Sequence, residues 1–388
     1  MTAVTLLLLV LAAFGHTAFW VAVVNRWHAT GFRRVLVKSV TLLFYAALCF
    51  PVVWIGAQPR PRFETGLDFR DWQLGPATIY VALCAAYGAA HLVVWTIDRL
   101  RNWDYPQGVE PGSQQVVDMA DRLGRPPAGS LRTVLFGLVP GNQLWKLHVT
   151  EATLSIPDLP AELEGLSIWH WSDLHLSGRI RRDYFHEVAR ITMEQPSDLL
   201  MLTGDVCDSA HCIDWIPELF GGVQARLGKY FVLGNHDLRT RDVPGVRAAL
   251  GQAGFTDLGA MAQSIDQGRI VVAGDERPWF PGEPQLPDPT GHQPRPLKIL
   301  LAHTPDRFAW AQTQGFDLVL AGHTHGGQIR FPLIGAVISP SLYGTRYTGG
   351  YFAKPPTLMH VSRGTASLFP LRLRCPPEMT RFVLRRAR

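Results

Sequence analysis

Seven side chains in the C-terminal two thirds of the sequence are of the kinds that hold cations: Asp173, His175, Asp205, Asn235, His303, His323 and His325. One residue separates Asp173 from His175, so a short loop can turn both toward one ion. Asp205 has two carboxylate oxygens and can bridge two cations, Asn235 offers a neutral carbonyl oxygen, and the three later histidines offer imidazole nitrogen. A nitrogen and oxygen set without thiolate suits divalent Mn, Fe or Zn better than it suits a structural zinc cluster. Any one of these residues alone is an ordinary structural one. The informative fact is the order DxH, GDxxD, GNHD, an isolated His and GHTH between residues 173 and 325.

The elements that must position these groups are legible in the same stretch. Short apolar runs each end in Asp, His, Asn or Gly: LSIWHWSDLH, DLLMLTGDVCD, YFVLGNHD, IVVAGDE, LKILLAHTP and DLVLAGHTH. Such runs suit strands buried on both faces. The segments Asp183 to Gln195 and Pro244 to Ala253 have helical length and composition. The reading is an α/β layered domain with its polar groups just past strand ends, along the sheet edge where open α/β sheets place ligands.

Found together, the five motifs resemble those of the calcineurin-like metallophosphoesterase superfamily. The resemblance implies a β-sandwich flanked by helices around a centre of two divalent metal ions. It sets Asp173, His175, Asp205 and His325 around one ion, and Asp205, Asn235, His303 and His323 around the other. The implied activity is hydrolysis of a phosphodiester, phosphomonoester or lipid-linked pyrophosphate by a hydroxide held between the ions. From about Trp145 to Arg385 the sequence further resembles the membrane-associated, YkuE- and YaeI-like branch, through SIPDLPAELEGLSIWHWSDLH, GTRYTGGYF and SRGTASLFPLRLRCPPEMTRFVL. Two departures stand out: Trp171 occupies a place where a small aliphatic residue is usual, and GDERPW replaces a paired-acid motif, which leaves Asp275 without an assigned role.

His236, beside Asn235, is placed by sequence to give the leaving group a proton. Asp208, three residues after Asp205, is the carboxylate expected to orient that imidazole; its other reading is a loop-capping acid. Tyr343, Arg346 and Tyr347 are candidate phosphate or headgroup contacts. His170, His186, His211, His292 and His360 read as surface or packing residues. The competing reading of the whole domain is a catalytically silent metal-binding scaffold at the membrane, against which the presence of His236 counts. A transporter with a regulatory domain is a third, without an internal repeat to support it.

Before residue 100 the sequence changes character. Val4 to Val24, Val35 to Ala57 and Leu74 to Ile97 each supply the roughly 20 apolar residues a membrane-spanning helix needs. The first has no basic segment ahead of it and two spans follow, so it reads as a span and not as a cleaved signal. Arg26, Arg33, Arg34 and Lys38 mark the first loop as internal. The second loop balances Arg60, Arg62 and Arg70 against Glu64, Asp68 and Asp71. The expectation is a multi-pass cell-membrane protein with its catalytic domain in the cytoplasm. The domains run 1–101 (membrane region), 102–144 (linker, with Leu131 to Trp145 either interfacial or the first segment of the core) and 145–388 (phosphoesterase domain). Lys and Arg number 37 against 32 acids, a net +5, but no dense basic run favours nucleic acid. The partners expected are membrane lipid and a phosphoester substrate, lipid-linked in the favoured reading. Five cysteines form no paired framework and fit reduced thiols.

Overall fold

The computed structural model describes residues 2–56, 76–101, 105–287 and 295–387. The acid-balanced second loop, His292, Arg388 and the residues between 101 and 105 lie outside them. Two compact units result, Met1–Asp104 and Tyr105–Arg388.

The first unit holds helices α1 (Ala3–His28), α2 (Arg34–Gly56) and α3 (Pro76–Arg101), each long and apolar enough to cross a bilayer. Small residues let two of them touch: a Cβ on Gly15 would meet the Cys84 carbonyl, and one on Gly88 would meet the Leu11 carbonyl, the close approach expected where helices pack without a hydrophobic driving force. His16 is not an isolated polar group. Its ring nitrogens meet Tyr80 Oη at 2.5 Å and the Leu48 carbonyl at 3.0 Å.

The second unit begins within the expected linker. Strand β1 (Val109–Asp118) pairs antiparallel with β2 (Lys146–Ile156), joined through the short helices α4 (Met119–Arg122) and α5 (Leu131–Gly137). Residues 109–118 of the expected linker form an edge strand, and Val117 and Met119 are buried in the core. The strand is hard to see in VEPGSQQVVD because most of its side chains are exposed.

The remaining elements are β3 (Ser167–Trp171), α6 (Arg182–Glu194), β4 (Ser197–Thr203), α7 (Trp215–Phe220), β5 (Ala225–Val232), α8 (Val243–Gln252), β6 (Phe255–Asp257), β7 (Ala262–Ile265), β8 (Ile270–Asp275), β9 (Leu297–Ala302), α9 (Phe308–Thr313), β10 (Leu318–Ala321), β11 (Arg330–Phe331), β12 (Gly335–Ala336), β13 (Gly350–Lys354), β14 (Thr357–Val361) and β15 (Glu378–Arg386). They form a seven-stranded sheet in the order β1-β2-β15-β3-β4-β5-β6 and a six-stranded sheet in the order β13-β14-β10-β9-β8-β7. β11 and β12 form a separate hairpin.

Period-two alternation decides which side chain goes where. Ile168, Leu199 and Met201 of the first sheet meet Ile299, Leu301 and Leu320 of the second in the layer between them. Their neighbours Trp169, Trp171, Leu200 and Leu202 turn the other way and pack under α6, α7 and α8. Leu300, Val319 and Ala321 do the same under α9. Trp171 lies against Phe220 with ring centroids 5.3 Å apart, which accounts for its size as packing. His170 and His360 are buried and hydrogen-bonded to each other at 2.9 Å across the sandwich. The architecture is thus two mixed sheets flanked by helices. Within each sheet the strands that carry the chemistry run parallel, β3-β4-β5 in one and β8-β9-β10 in the other. Their C-terminal ends therefore gather on one edge.

Candidate metal centre

Asp173 and His175 follow β3, Asp205 and Asp208 follow β4, Asn235 and His236 follow β5, His303 follows β9, and His323 and His325 follow β10. A strand cannot continue past these points. Asp173, His175, Asp205, His323 and His325 all hold left-handed backbone, with φ between 50° and 71°, a region that costs a non-glycine residue and is tolerated where the surroundings enforce it. Glycines make room beside them: a Cβ on Gly234 would fall on Asp205 Oδ1 and His303 Nε2, and one on Gly322 on Asp173 Oδ2.

The side chains meet in three overlapping clusters: Asp173, His175, Asp205 and His325; Asp205, His303 and His323; and His175, Asp208 and His236. His175 Nε2 faces His325 Nε2 at 2.9 Å and lies 3.8 Å from Asp205 Oδ2. The other oxygen of Asp205, Oδ1, lies 3.3 Å from His303 Nε2, which also meets Asn235 Oδ1 at 3.3 Å. Asp205 thus turns one oxygen to each cluster. His303 Nδ1 points to the Thr203 carbonyl at 2.8 Å, and His175 Nδ1 to Asp208 Oδ2 at 2.7 Å. Each of these contacts leaves Nε2 for the centre, the arrangement by which a second partner orients a ligand histidine. His323 is buried, and its Nε2 has no hydrogen-bond partner among the described residues.

The electrostatics are those of a site built for cations. Burial alone would lower His175 and His303. The carboxylate of Asp208 on His175, and of Asp205 on His303, overcome it and push both up to about 9. Burial, with His303 and His175 as cationic neighbours, holds His323 and His325 well below the usual range and so neutral. Asp205 is buried, which would raise it, yet His303, His236 and His175 hold it well below the ordinary carboxylate range. Buried His and Asp facing one another at these distances, with paired nitrogens and oxygens that one cation would satisfy, fit divalent metal.

The seven candidate ligands, with Asp208 and His236, all fall at this edge. Asp208 accepts from His236 Nδ1 at 2.7 Å as well as from His175, so it does more than cap its loop. Asp275 belongs to none of the three clusters: it is buried and paired with Arg277 at 2.6 Å and Arg307 at 2.7 Å. Tyr347 is buried among Phe308 and Phe352, a core residue and not a surface contact.

Three groups escaped sequence reasoning. Arg239 Nη1 lies 2.8 Å from Asp208 Oδ1, and its one signal was its place three residues after His236. Trp279 packs on His323 and His303, centroids 4.7 and 5.3 Å away. Arg372 is fully buried, donates to the carbonyls of Arg363 and Ala366, and reaches His325 Nδ1 at 3.3 Å.

Calcineurin-like phosphoesterase is the family matching residues 166–327. The chain is 31% identical over 247 residues to the uncharacterized metallophosphoesterase YkuE of Bacillus subtilis, covering 62% of this chain and 86% of that one. It is 31% identical over 221 residues to the phosphodiesterase YaeI of Escherichia coli, covering 55% and 80%. It is 26% identical over 291 residues to the UDP-2,3-diacylglucosamine pyrophosphatase LpxG of Chlamydia trachomatis, covering 60% and 88%.

Proposed function

Since the chain belongs to the calcineurin-like metallophosphoesterase family, we propose that it is a membrane-anchored hydrolase whose substrate is a lipid-linked phosphodiester or pyrophosphate. The observation that carries the metal reading is Asp205, whose two oxygens face separate His and Asp clusters. Asp173, His175, Asp205 and His325 would hold one divalent ion, and Asp205, Asn235, His303 and His323 the other. Such a pair supplies positive charge for the phosphoryl oxygens and lowers the pKa of water toward neutrality.

The rest is done by the chain itself. Asp208 fixes the ring of His236 through Nδ1 and leaves Nε2 to protonate the departing oxygen. The His236 side chain is 27% exposed, so a substrate can reach it. Arg239 Nη1 meets the same Asp208 oxygen, Oδ1, that His236 meets, while His175 holds Oδ2, so the carboxylate is fixed from both ends. Two features support a lipid-linked substrate: the three apolar helices that precede the domain, and the likeness to a phosphodiesterase and to a pyrophosphatase of a diacylated sugar nucleotide. The test is the full chain in detergent with Mn²⁺, assayed against a chromogenic phosphodiester, a phosphomonoester and a lipid-linked pyrophosphate. Hydrolysis of the lipid-linked compound or the diester above the monoester is expected; preference for the monoester would overturn the substrate class. In Asp205→Asn, metal content and activity should fall together. Full occupancy by two ions in that variant would overturn the bridging role.

A further inference from the structure

Two exposed apolar elements border the metal centre, and the chemistry of hydrolysis uses neither. The first is α5 with the residues after it. Thr133 is its single buried residue, while Leu131 and Leu138 are 74% and 75% exposed and Val134 and Leu135 are exposed between them. The second is the β11–β12 hairpin and the loop beyond it, where Leu333 is 84% exposed and Phe331, Ile334 and Ile338 stand beside it.

Both are fastened to the same strap, residues 369–373. Phe136 of α5 lies against Phe369, centroids 5.2 Å apart, and Asn142 Nδ2 donates to the carbonyls of Phe136 and Pro370. On its other side the strap joins the hairpin: Arg330 donates to the Leu373 carbonyl at 3.0 Å, and Leu373 donates to that of Gln328 at 2.9 Å. The strap also carries Arg372, which reaches His325, and the hairpin itself begins five residues after His325. The two elements form one apolar rim beside the clustered histidines.

Along the sequence of both elements the formal charge is of one sign: no Asp or Glu occurs between residues 131 and 146 or between 318 and 377, whereas Arg132, Arg330 and Arg374 do. Arg132 stacks over Phe136 and Phe369, an amphipathic arrangement of cation on apolar surface. Finally, α3 ends at Arg101 and β1 starts at Val109. The residues between can span at most about 25 Å, so covalent reach keeps the domain near whatever α3 is embedded in.

A contiguous exposed apolar patch flanked by arginines is what a water-soluble surface avoids and an interfacial one requires. We propose that this rim docks on the surface of an anionic bilayer, with the leucines and isoleucines between headgroups and the arginines at the level of lipid phosphates. It deepens the phosphoesterase reading and rests on it for what is presented to the metal centre; the docking itself is tested without turnover.

The full chain, with Cys49→Ala and Cys84→Ala, is reconstituted in nanodiscs and carries a nitroxide at Leu135→Cys, at Leu333→Cys, or at Gln263→Cys on β7 as control. Accessibility to oxygen and to a water-soluble nickel complex is compared by electron paramagnetic resonance. In phosphatidylglycerol discs the oxygen-to-nickel ratio should rise several-fold at 135 and 333 over 263, and it should fall toward the control in phosphatidylcholine alone. Water-like values at both positions would overturn the proposal whether or not the protein is active. Insertion at only one of them would reject the joint rim, and dipolar broadening between labels would assign the patch to a second copy of the chain.

Discussion

Asp208 is shared by His175, His236 and Arg239, and this sharing separates two kinds of variant. His236→Asn should keep its metals and lose about 10²–10⁴-fold in turnover, the usual contribution of a positioned acid; unchanged turnover would remove His236 from the reaction. Asp208→Asn removes the partner of His175 as well, so metal affinity should itself fall by about 10–100-fold, measured by competition with a chelator. Intact affinity there would confine Asp208 to orienting His236. A second consequence concerns protons. Without a bound cation, His175 and His303 sit at about 9, so at pH 7.5 each holds a proton that metal must displace. Loading should release protons at that pH, and the release should vanish as pH rises past 9. Calorimetry in buffers of different ionisation enthalpy reads this directly, and a heat independent of buffer would contradict it. The seven candidate ligands were legible in the sequence because residue type and position after a strand-like run suffice to mark them. Arg372, Arg239 and Trp279 were not, because each acts through a contact that only the tertiary fold creates.

At the scale of elements, strands β3, β4, β5, β8, β9 and β10 announce themselves as short continuous apolar runs because helices or the opposite sheet cover both their faces. β1 fails that test: it lies at the edge of its sheet, it is mostly exposed, and Pro111 and Gly112 argue against a strand even though they sit at a shift in register. Its contribution is still to the core, since the chain leaving it buries Met119 completely. Met119→Ala in the full chain should therefore cost about 2–5 kcal/mol, read from denaturant unfolding of the α/β unit. A change within error would mean that the edge strand and its continuation are dispensable. A truncation at Trp145 therefore strips a strand from the sheet, whereas one at Tyr105 keeps it.

Taken as a whole, the molecule comprises an apolar three-helix unit and an α/β unit. Arg26, His28, Arg33 and Arg34 lie at the ends of α1 and α2 on either side of their connection, and an excess of arginine faces the cytoplasm in membrane proteins. A reporter fused after Arg388 should then signal from the cytoplasm; signal from the opposite side would reverse the orientation and place Cys207, Cys212 and Cys375 in an oxidising compartment. One feature of the larger unit reaches beyond the finished molecule. β15 lies inside the seven-stranded sheet, parallel to β2 and antiparallel to β3, although Thr150 and the Thr380 it touches are 230 residues apart in sequence. A ribosome that has delivered β2, β3 and every metal-type side chain has still not delivered the strand that joins the first two. The nascent domain must wait with an open seam through its principal sheet, which makes delivery of residues 378–386, and not the appearance of the histidines, the event that allows the catalytic edge to set.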